Sequence, residues 1–345
     1  MSATRTTSPL AAPAARRFTV LQSTGAPDDT TNPYLVQLLR ALPRNVEIRY
    51  FTMRTALFSS YDLFHVHWPE YLVRHRAPAA ALAKQACFAL LLLRLWLARV
   101  PVVRTLHNAQ PHEQGGPVER LLLRWLDRLT TRRISINAAE EAAATDTILH
   151  GHYRDWFAAR QVPPQVKGRL LCFGLIRPYK GVETLLAAFR ELPDDDATLR
   201  IVGNPVNDEM HRVVEAACAA DARTSARLEY VGDDVLAHEI GEAQCVVLPY
   251  RHMQNSGALL LALSLARPVL VPRNEPNAAL AAEVGPDWVR LYDGTLDAQD
   301  LAAALHAQDL PRHGQAPDLS RREWPALGRQ HHAAYVAALN AGGRG

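Results

Sequence analysis

The chain reads as an α/β protein made of two successive doubly wound parallel sheets that face each other across a cleft. Three observations predict this. Short apolar, β-rich runs alternate with helical periodicity in both halves. A polar segment with adjacent prolines interrupts the alternation near the middle, and the alternation then restarts. The length of 345 residues suits two domains at ~100–200 residues each.

Residues 1–17 (MSATRTTSPLAAPAARR) are rich in Ala, Pro and Thr and hold no continuous apolar core. They read as a disordered leader and not as a secretory signal. The first domain is expected over 18–160. Its strands are Phe18–Gln22, Val46–Phe51, Leu63–Val66, Val102–Leu106, Arg133–Ile136 and Thr147–Leu149, with helices over Tyr34–Leu42, Ala79–Leu97 and Val118–Leu129. The segment Ala158–Arg169 reads as the linker. The second domain is expected over 165–315. Its strands are Leu170–Phe173, Thr198–Val202, Leu228–Val231, Cys245–Leu248 and Pro268–Val271. Helices fall over Val182–Glu191, Asp208–Ala219, Gly257–Leu265 and Leu301–Ala307. A last helix, Leu319–Leu339, lies in the 319–345 tail, and the pattern does not say which half it packs on. Ligands of open α/β sheets bind at the carboxyl ends of the strands, so the cleft between the two sheet edges is the expected site.

Composition excludes several classes. With 48% hydrophobic and 21% charged residues the chain is balanced as a globular enzyme and not as a disordered polymer. Cys87, Cys172, Cys218 and Cys245 are scattered with no Cys-x-x-Cys pair. That argues against a disulfide framework or thiolate zinc site and for a reducing compartment. A net charge of +3 does not point to nucleic acid. The charge is uneven, however: 20 Lys and Arg stand against 12 Asp and Glu through residue 160, and 18 against 23 beyond it.

Two stretches of the basic half suit a membrane surface. Ala79–Val103 is the most apolar run, but Lys84, Arg94 and Arg99 interrupt it. It therefore falls short of the ~20 uninterrupted apolar residues of a span and reads as a buried or membrane-facing helix. In Val118–Leu129, Arg120, Arg124 and Arg128 recur every fourth residue beside Leu122, Trp125 and Leu129. A basic amphipathic helix with a Trp fits an anionic lipid surface, although a surface helix with one buried face has the same pattern. The expected location is the cytoplasm, peripheral at the inner face of the plasma membrane.

A phosphate site is written into the second half. Gly174-Leu-Ile-Arg177-Pro-Tyr-Lys180-Gly181 follows a strand and leads into a helix. Gly174 permits a tight turn and Gly181 a close backbone approach. Arg177 offers a fork of donors and Lys180 a point charge three residues on, which suits a diphosphate. Only three of the 38 basic residues are lysines, so an ammonium at this junction stands out. Further on, Leu-Pro-Tyr250 closes a strand and Asn255-Ser256-Gly257 opens an apolar helix. Ser256 is a good N-cap, and the free N–H groups of the first turn form an anion site.

These pieces, with Ile-Val-Gly203-Asn204 and Tyr-Val-Gly232, form an ordered set that resembles the donor domain of GT-B glycosyltransferases over roughly 165–310. The resemblance implies two Rossmann-like domains. It also implies that Arg177 and Lys180 hold a nucleotide-sugar diphosphate, that Ser256-Gly257 bind it through backbone N–H groups, and that Gly203-Asn204 lie near the base. Retaining relatives carry two glutamates near the late helix, whereas this chain has no Asp or Glu between Glu242 and Glu275. Gln254 and Asn255 offer neutral hydrogen bonds there instead. The departure favours inversion at the transferred carbon.

In the first half, Leu149-His150-Gly-His152-Tyr153, His65-Val-His67-Trp68-Pro-Glu70 and His107-Asn-Ala-Gln-Pro-His112-Glu113 each follow an expected strand. The last two resemble signatures of bacterial glycosyltransferases that build exopolysaccharide or glycolipid units, including xanthan-type β-mannosyltransferases. An inverting transfer needs one general base for the acceptor hydroxyl and a stabilised diphosphate leaving group. Glu70 and His107 are the first candidates for base, with Glu113 and the Asp28-Asp29 pair behind them. His107 is equally suited to a donor-sugar hydroxyl, as its counterpart is in retaining relatives. His67, Trp68, His112 and Glu113 are the acceptor-side candidates. His65, His67, His112 and Glu113 also admit a metal site, but the resemblance implies charge compensation by Arg and Lys, so neither a metal nor another cofactor is expected.

The expected function is transfer of a hexosyl group, mannose favoured, from GDP-mannose or a UDP-sugar to a lipid-linked or saccharide hydroxyl. The alternatives are a catalytically silent nucleotide-sugar-binding protein of the same fold and a nucleotide-sugar epimerase.

Overall fold

The structure is a computed structural model that describes residues 17–107, 115–137, 145–251, 253, 256–307 and 314–342. The disordered-leader reading of 1–17 therefore falls almost wholly outside the described residues, as do Gln254, Asn255, His112 and Glu113.

The first half runs Phe18–Gln22 (β1), Pro33–Ala41 (α1), Val46–Tyr50 (β2), Met53–Phe58 (α2), Leu63–Val66 (β3), Glu70–Val73 (α3), Pro78–Leu97 (α4), Val102–Leu106 (β4), Pro117–Leu129 (α5), Thr130–Ser135 (β5), Thr145–Thr147 (β6) and Arg154–Phe157 (α6). The second runs Arg169–Phe173 (β7), Val182–Arg190 (α7), Thr198–Val202 (β8), Asp208–Ala220 (α8), Thr224–Arg227 (β9), Asp233–Glu242 (α9), Cys245–Val247 (β10), Gly257–Ser264 (α10), Val269–Pro272 (β11), Glu275–Val284 (α11), Val289–Tyr292 (β12) and Ala298–His306 (α12). Trp324–Gly342 (α13) closes the chain, and Pro178–Lys180 and Ser320–Arg322 are short 3-10 turns.

Two parallel sheets result, ordered β2-β1-β3-β4-β5-β6 and β12-β11-β10-β7-β8-β9. Each half opens with an interior strand, β1 or β7, beside which the winding reverses. Such a switch point leaves a crevice at the strand ends. Alternation along β7 shows how the second sheet is covered. Leu171 and Phe173 pack with Ile240, Leu260 and Leu280 on one face, while Leu170 and Cys172 pack with Leu185, Phe189 and Leu301 on the other. Local signals set the helix starts. Asn32 caps α1 by accepting from Tyr34 N at 2.9 Å, with Pro33 in the first position. A reciprocal Asp297/Asp300 capping box starts α12 three residues before the expected Leu301.

Some expectations need correction. The strand expected at Leu228–Val231 lies at Thr224–Arg227, paired only with β8. An edge strand has one neighbour and tolerates the polar sequence Thr-Ser-Ala-Arg, so the apolar run after it is loop. The strand expected at Thr147–Leu149 ends at Thr147. Helices α9 and α11 and strand β12 have no counterpart in the sequence reading. Both helices have weak helical periodicity because each buries a polar residue, Glu239 in α9 and Asn277 in α11, among its apolar ones.

The last helix packs on the first half. Trp324, Leu327, Tyr335 and Ala338 join Phe18, Val20, Tyr34 and Leu38 in one core. Gly328 is needed there, since a Cβ would lie 2.0 Å from the Ala41 carbonyl oxygen. On its way back the chain crosses the 150–153 segment. His152 N donates to Arg322 O (3.2 Å) and Trp324 Nε1 to His152 O (2.8 Å). The buried Arg322 guanidinium grips both Glu283 oxygens at 2.8 and 2.9 Å and the His150 carbonyl at 3.0 Å. Tyr153 N donates to Ser264 Oγ at 2.8 Å.

Helix α4 is apolar on two faces, and the protein covers only one. Phe88, Leu91, Leu92 and Leu95 are buried, whereas Leu82, Leu90, Leu93, Trp96 and Leu97 point outward, Trp96 and Leu97 at 57% and 66% exposure. Against the expectation for Ala79–Val103, its length and composition are enough to cross a membrane. The neighbouring α5 carries Arg120, Arg124 and Arg128, all exposed.

Candidate active site

On the second half, the strand ends are drawn together by glycines. Gly174 leaves β7 with φ 99°, and a Cβ on Gly203 would lie 2.0 Å from the Gly174 carbonyl oxygen. The 3-10 turn ends at Gly181 (φ 66°), where a Cβ would meet the Pro249 oxygen at 2.1 Å. Arg251 N donates to Tyr179 O at 2.9 Å. The Arg-Pro-Tyr-Lys turn is thereby stitched to the loop after β10.

That stitching places the Lys180 ammonium 5.0 Å from the centroid of the Tyr250 ring. Burial lowers the Lys180 pKa, against the raising influence of Tyr179 and Cys172. Tyr250 is itself buried, which raises its phenol pKa, and its hydroxyl bonds the Ser256 side chain. Ser256 Oγ in turn accepts from Leu259 N at 3.2 Å and caps α10. Lys180, Tyr250, Ser256 and the first turn of α10 thus form one continuous line of contacts. Arg177 begins the same turn, is half-buried, and its guanidinium bonds none of the described residues. Asn204 is exposed, and its carbonyl accepts from Ile176 N at 3.0 Å. Gly257 leaves room for the Tyr153 hydroxyl, 3.1 Å from where a Cβ would stand. Two cations and an open helix terminus beside one strand edge can hold a diphosphate.

On the first half, the histidines gather in a buried aromatic cluster. His67 Nδ1 and His107 Nε2 share a hydrogen bond of 2.9 Å. Trp68, with a left-handed backbone (φ 42°), stacks its indole on His107 at 3.8 Å and 18°. Tyr34 sets its ring against His107 (5.4 Å) and His150 (4.6 Å). Burial holds the pKa of His67 down at about 3 and that of His150 at about 4, and it puts His107 well below the usual range, with neighbouring imidazoles adding to the shift. These rings are neutral at physiological pH. Tyr34 escaped the sequence reading because nothing in Asn-Pro-Tyr marks a residue that three distant histidine segments will surround.

Two sequence expectations change here. His67 is 2% exposed and bonds His107, so it reaches an acceptor only through that ring. His65 has both nitrogens engaged, Nε2 with Thr105 Oγ1 and Nδ1 with the Tyr335 hydroxyl, each at 2.8 Å, which removes it from a metal-ligand set. Among the described residues, no three His, Cys, Asp or Glu side chains are grouped to hold a metal ion. Asp28 turns inward on its own loop and accepts from Thr30 and Thr31, which lowers its pKa. Glu70 opens α3 half-buried and lies within electrostatic reach of Arg104.

The two halves meet at one cleft. His150 and Asn137 line it from the first half, and Ser256, Asn277 and Glu283 from the second. The cap of α10 therefore opens onto the histidine cluster.

Comparison with known proteins agrees with this arrangement. Residues 167–307 match the family described as glycosyl transferases group 1. The chain is 56% identical over 345 residues, 99% of both chains, to the GDP-mannose:glycolipid 4-beta-D-mannosyltransferase of Xanthomonas campestris pv. campestris. Among solved structures it resembles Anabaena HepE in complex with UDP-glucose (TM-score 0.60, 13% identity, 94% of this chain and 98% of that one). It also resembles the lipopolysaccharide outer core galactosyltransferase WaaB in its apo form (TM-score 0.60, 10% identity, 92% and 99%). Both share its pair of facing α/β domains. With a relative this similar along its whole length, the chain belongs to the group 1 glycosyltransferases and is a sugar-transferring enzyme of GT-B fold.

Proposed function

We propose that the enzyme transfers a mannosyl group from GDP-mannose to a hydroxyl of a glycolipid, with inversion at the anomeric carbon. The observation that carries this reading is the contact line Lys180–Tyr250–Ser256 at the mouth of the second sheet, in a chain 56% identical to an enzyme named for that donor and acceptor class. A β-linkage made from an α-linked donor requires inversion, and the absence of acidic residues between Glu242 and Glu275 fits it.

In the proposed mechanism, Glu70 takes the proton of the acceptor hydroxyl. The oxygen attacks the anomeric carbon from the face opposite the diphosphate, and the bond to the leaving oxygen breaks. Arg177, Lys180 and the first-turn N–H groups of α10, including that of Gly257, take up the charge that develops on GDP. Gly174 and Gly203 keep the strand-end turns low enough for the nucleotide, Asn204 faces the base, and Asn255 offers the sugar a neutral hydrogen bond. His107 hydrogen-bonds a sugar oxygen and Trp68 forms the acceptor wall, with His112 and Glu113 as further acceptor-binding candidates. Two fixed cations stand in for a divalent ion, so transfer proceeds without metal or other cofactor. Radiolabelled GDP-mannose incubated with a bacterial glycolipid fraction should yield a β-mannosylated lipid, in EDTA as without it. Glu70→Gln should lower kcat at least about a hundredfold. Transfer from UDP-glucose alone, or an α-linked product, would refute the reading.

The acceptor class also accounts for the uncovered face of α4. Leu82, Leu90, Leu93 and Leu97 form one outward stripe beside the α5 arginines, a combination that suits insertion into the headgroup layer of an anionic bilayer at the cytoplasmic face. The protein should sediment with phosphatidylglycerol vesicles and not with phosphatidylcholine vesicles. Replacing Leu90, Leu93 and Leu97 by Ser should release it, and retention by that variant would overturn the assignment.

A further inference from the structure

We propose that His67 and Trp68 are positioning residues for His107, fixing both the plane of its ring and the nitrogen that carries its proton. The inference rests on the reading of His107 as a sugar-contacting residue and concerns what its two neighbours do to that ring.

The backbone is the first evidence. Ser23 Oγ accepts from His67 N at 2.8 Å and donates to His67 O at 3.1 Å, which clamps the peptide at the end of β3. The next residue, Trp68, takes φ 42°, a conformation that bulky side chains rarely adopt. Such strain persists where the surroundings over-determine it and clusters at functional sites. Here it lays the indole on His107 at 3.8 Å and 18°, close to parallel. Tyr34 stands edge-on to the same ring at 87°. The plane of His107 is thus held from two sides.

The hydrogen bonds set the proton. A neutral imidazole has one N–H. His67 Nε2 is buried and has no hydrogen-bond partner among the described residues. A proton there would be an orphaned buried donor, which folded proteins rarely leave, whereas a bare lone pair is better tolerated. The proton of His67 therefore sits on Nδ1 and is donated to His107 Nε2, 2.9 Å away. His107 must then carry its own proton on Nδ1. It acts as a hydrogen-bond donor to an oxygen, and the role of base is left to Glu70. His65, whose ring lies 4.1 Å from that of His67, is held by Thr105 and Tyr335 and does not compete for that bond. Burial keeps all three rings neutral.

Nitrogen-15 NMR of the imidazoles at pH 7, on the full chain without substrate, reads the tautomers directly. Nδ1–H signals for both His67 and His107 are expected, and an Nε2–H tautomer at His107 would overturn the proposal. His67→Asn puts an amide donor near the Nδ1 position, and should keep the His107 tautomer and kcat within about threefold. His67→Leu should mix the tautomers and lower kcat about tenfold or more, with the KM for GDP-mannose little changed. Trp68→Phe should restore most of what Trp68→Ala loses. Equal losses in Asn and Leu variants that stay folded by circular dichroism would also refute it. Because the tautomer is read without turnover, a wild-type chain that failed to transfer mannose would refute the function and not this assignment.

Discussion

The Lys180 ammonium faces the Tyr250 ring at 5.0 Å, and Tyr250 in turn bonds the cap of α10. A half-buried ammonium that faces a π ring and pairs with no carboxylate among the described residues keeps its charge available for a ligand. Lys180→Ala should therefore lower kcat/KM for the sugar nucleotide by roughly 10–100-fold, the range of one hydrogen bond to a charged group. It should also abolish the thermal shift that GDP produces in the wild type. Lys180→Arg should not restore either, because Gly174 and Tyr250 leave little room for a planar guanidinium. Unchanged GDP binding by Lys180→Ala would remove that residue from the site.

Gly181 answers to two constraints at once, a φ of 66° and the Pro249 oxygen 2.1 Å from any Cβ. Gly181→Ala should cost about 2 kcal/mol or more in urea unfolding, since the clash is with backbone that cannot swing away. Gly25→Ala, which meets nothing within 4 Å, should stay within about 0.5 kcal/mol of wild type.

The histidine cluster makes stability depend on pH. His67 titrates at about 3 in the fold, and His150 and His331 at about 4, against 6.5 for the free side chain. Below about pH 6.5 the unfolded chain binds protons that the folded chain refuses, so stability falls as pH drops from there toward 4. Each such histidine contributes about 1.4 kcal/mol per pH unit in that window. Calorimetry at pH 7, 6 and 5 should show a steep fall in Tm, and a flat Tm across that interval would contradict the buried, neutral state of these rings.

The Arg322–Glu283 pair joins the crossing segment to the second half, with both side chains buried. Glu283→Ala should destabilise by roughly 3–5 kcal/mol because it strands a guanidinium without its counter-charge. The double change Arg322→Met, Glu283→Leu should recover much of that loss. A single variant as stable as wild type in urea unfolding would show that water reaches the pair.

The fold was largely legible because β-rich runs and helical periodicity are local properties. Thr198–Val202 and the start of α7 at Val182 lie where the pattern puts them. The placement of Arg177, Lys180, Ser256 and Gly257 was legible for the same reason, since they sit at the ends of elements that the pattern marks. Hidden features depend on distance in sequence. Tyr34 meets His107 and His150, and Tyr335 meets His65, contacts that no local pattern encodes. His67 looked like a cleft residue because it follows a strand, yet the strained turn at Trp68 folds it under His107. Edge strand β9 was misplaced because hydrophobicity is a poor guide where only one side of a strand is paired.

Because α13 supplies Trp324, Leu327 and Tyr335 to the core around Phe18 and Tyr34, the first half is built from the two ends of the described chain. During synthesis its interior has to wait, with β1 and α1 already outside the ribosome, until the last helix emerges. The second half, whose strands are contiguous, can settle meanwhile. A fragment cut at Pro163 should therefore aggregate alone and become soluble when a peptide spanning 319–342 is supplied in trans, so that division of labour between the halves does not extend to independent folding.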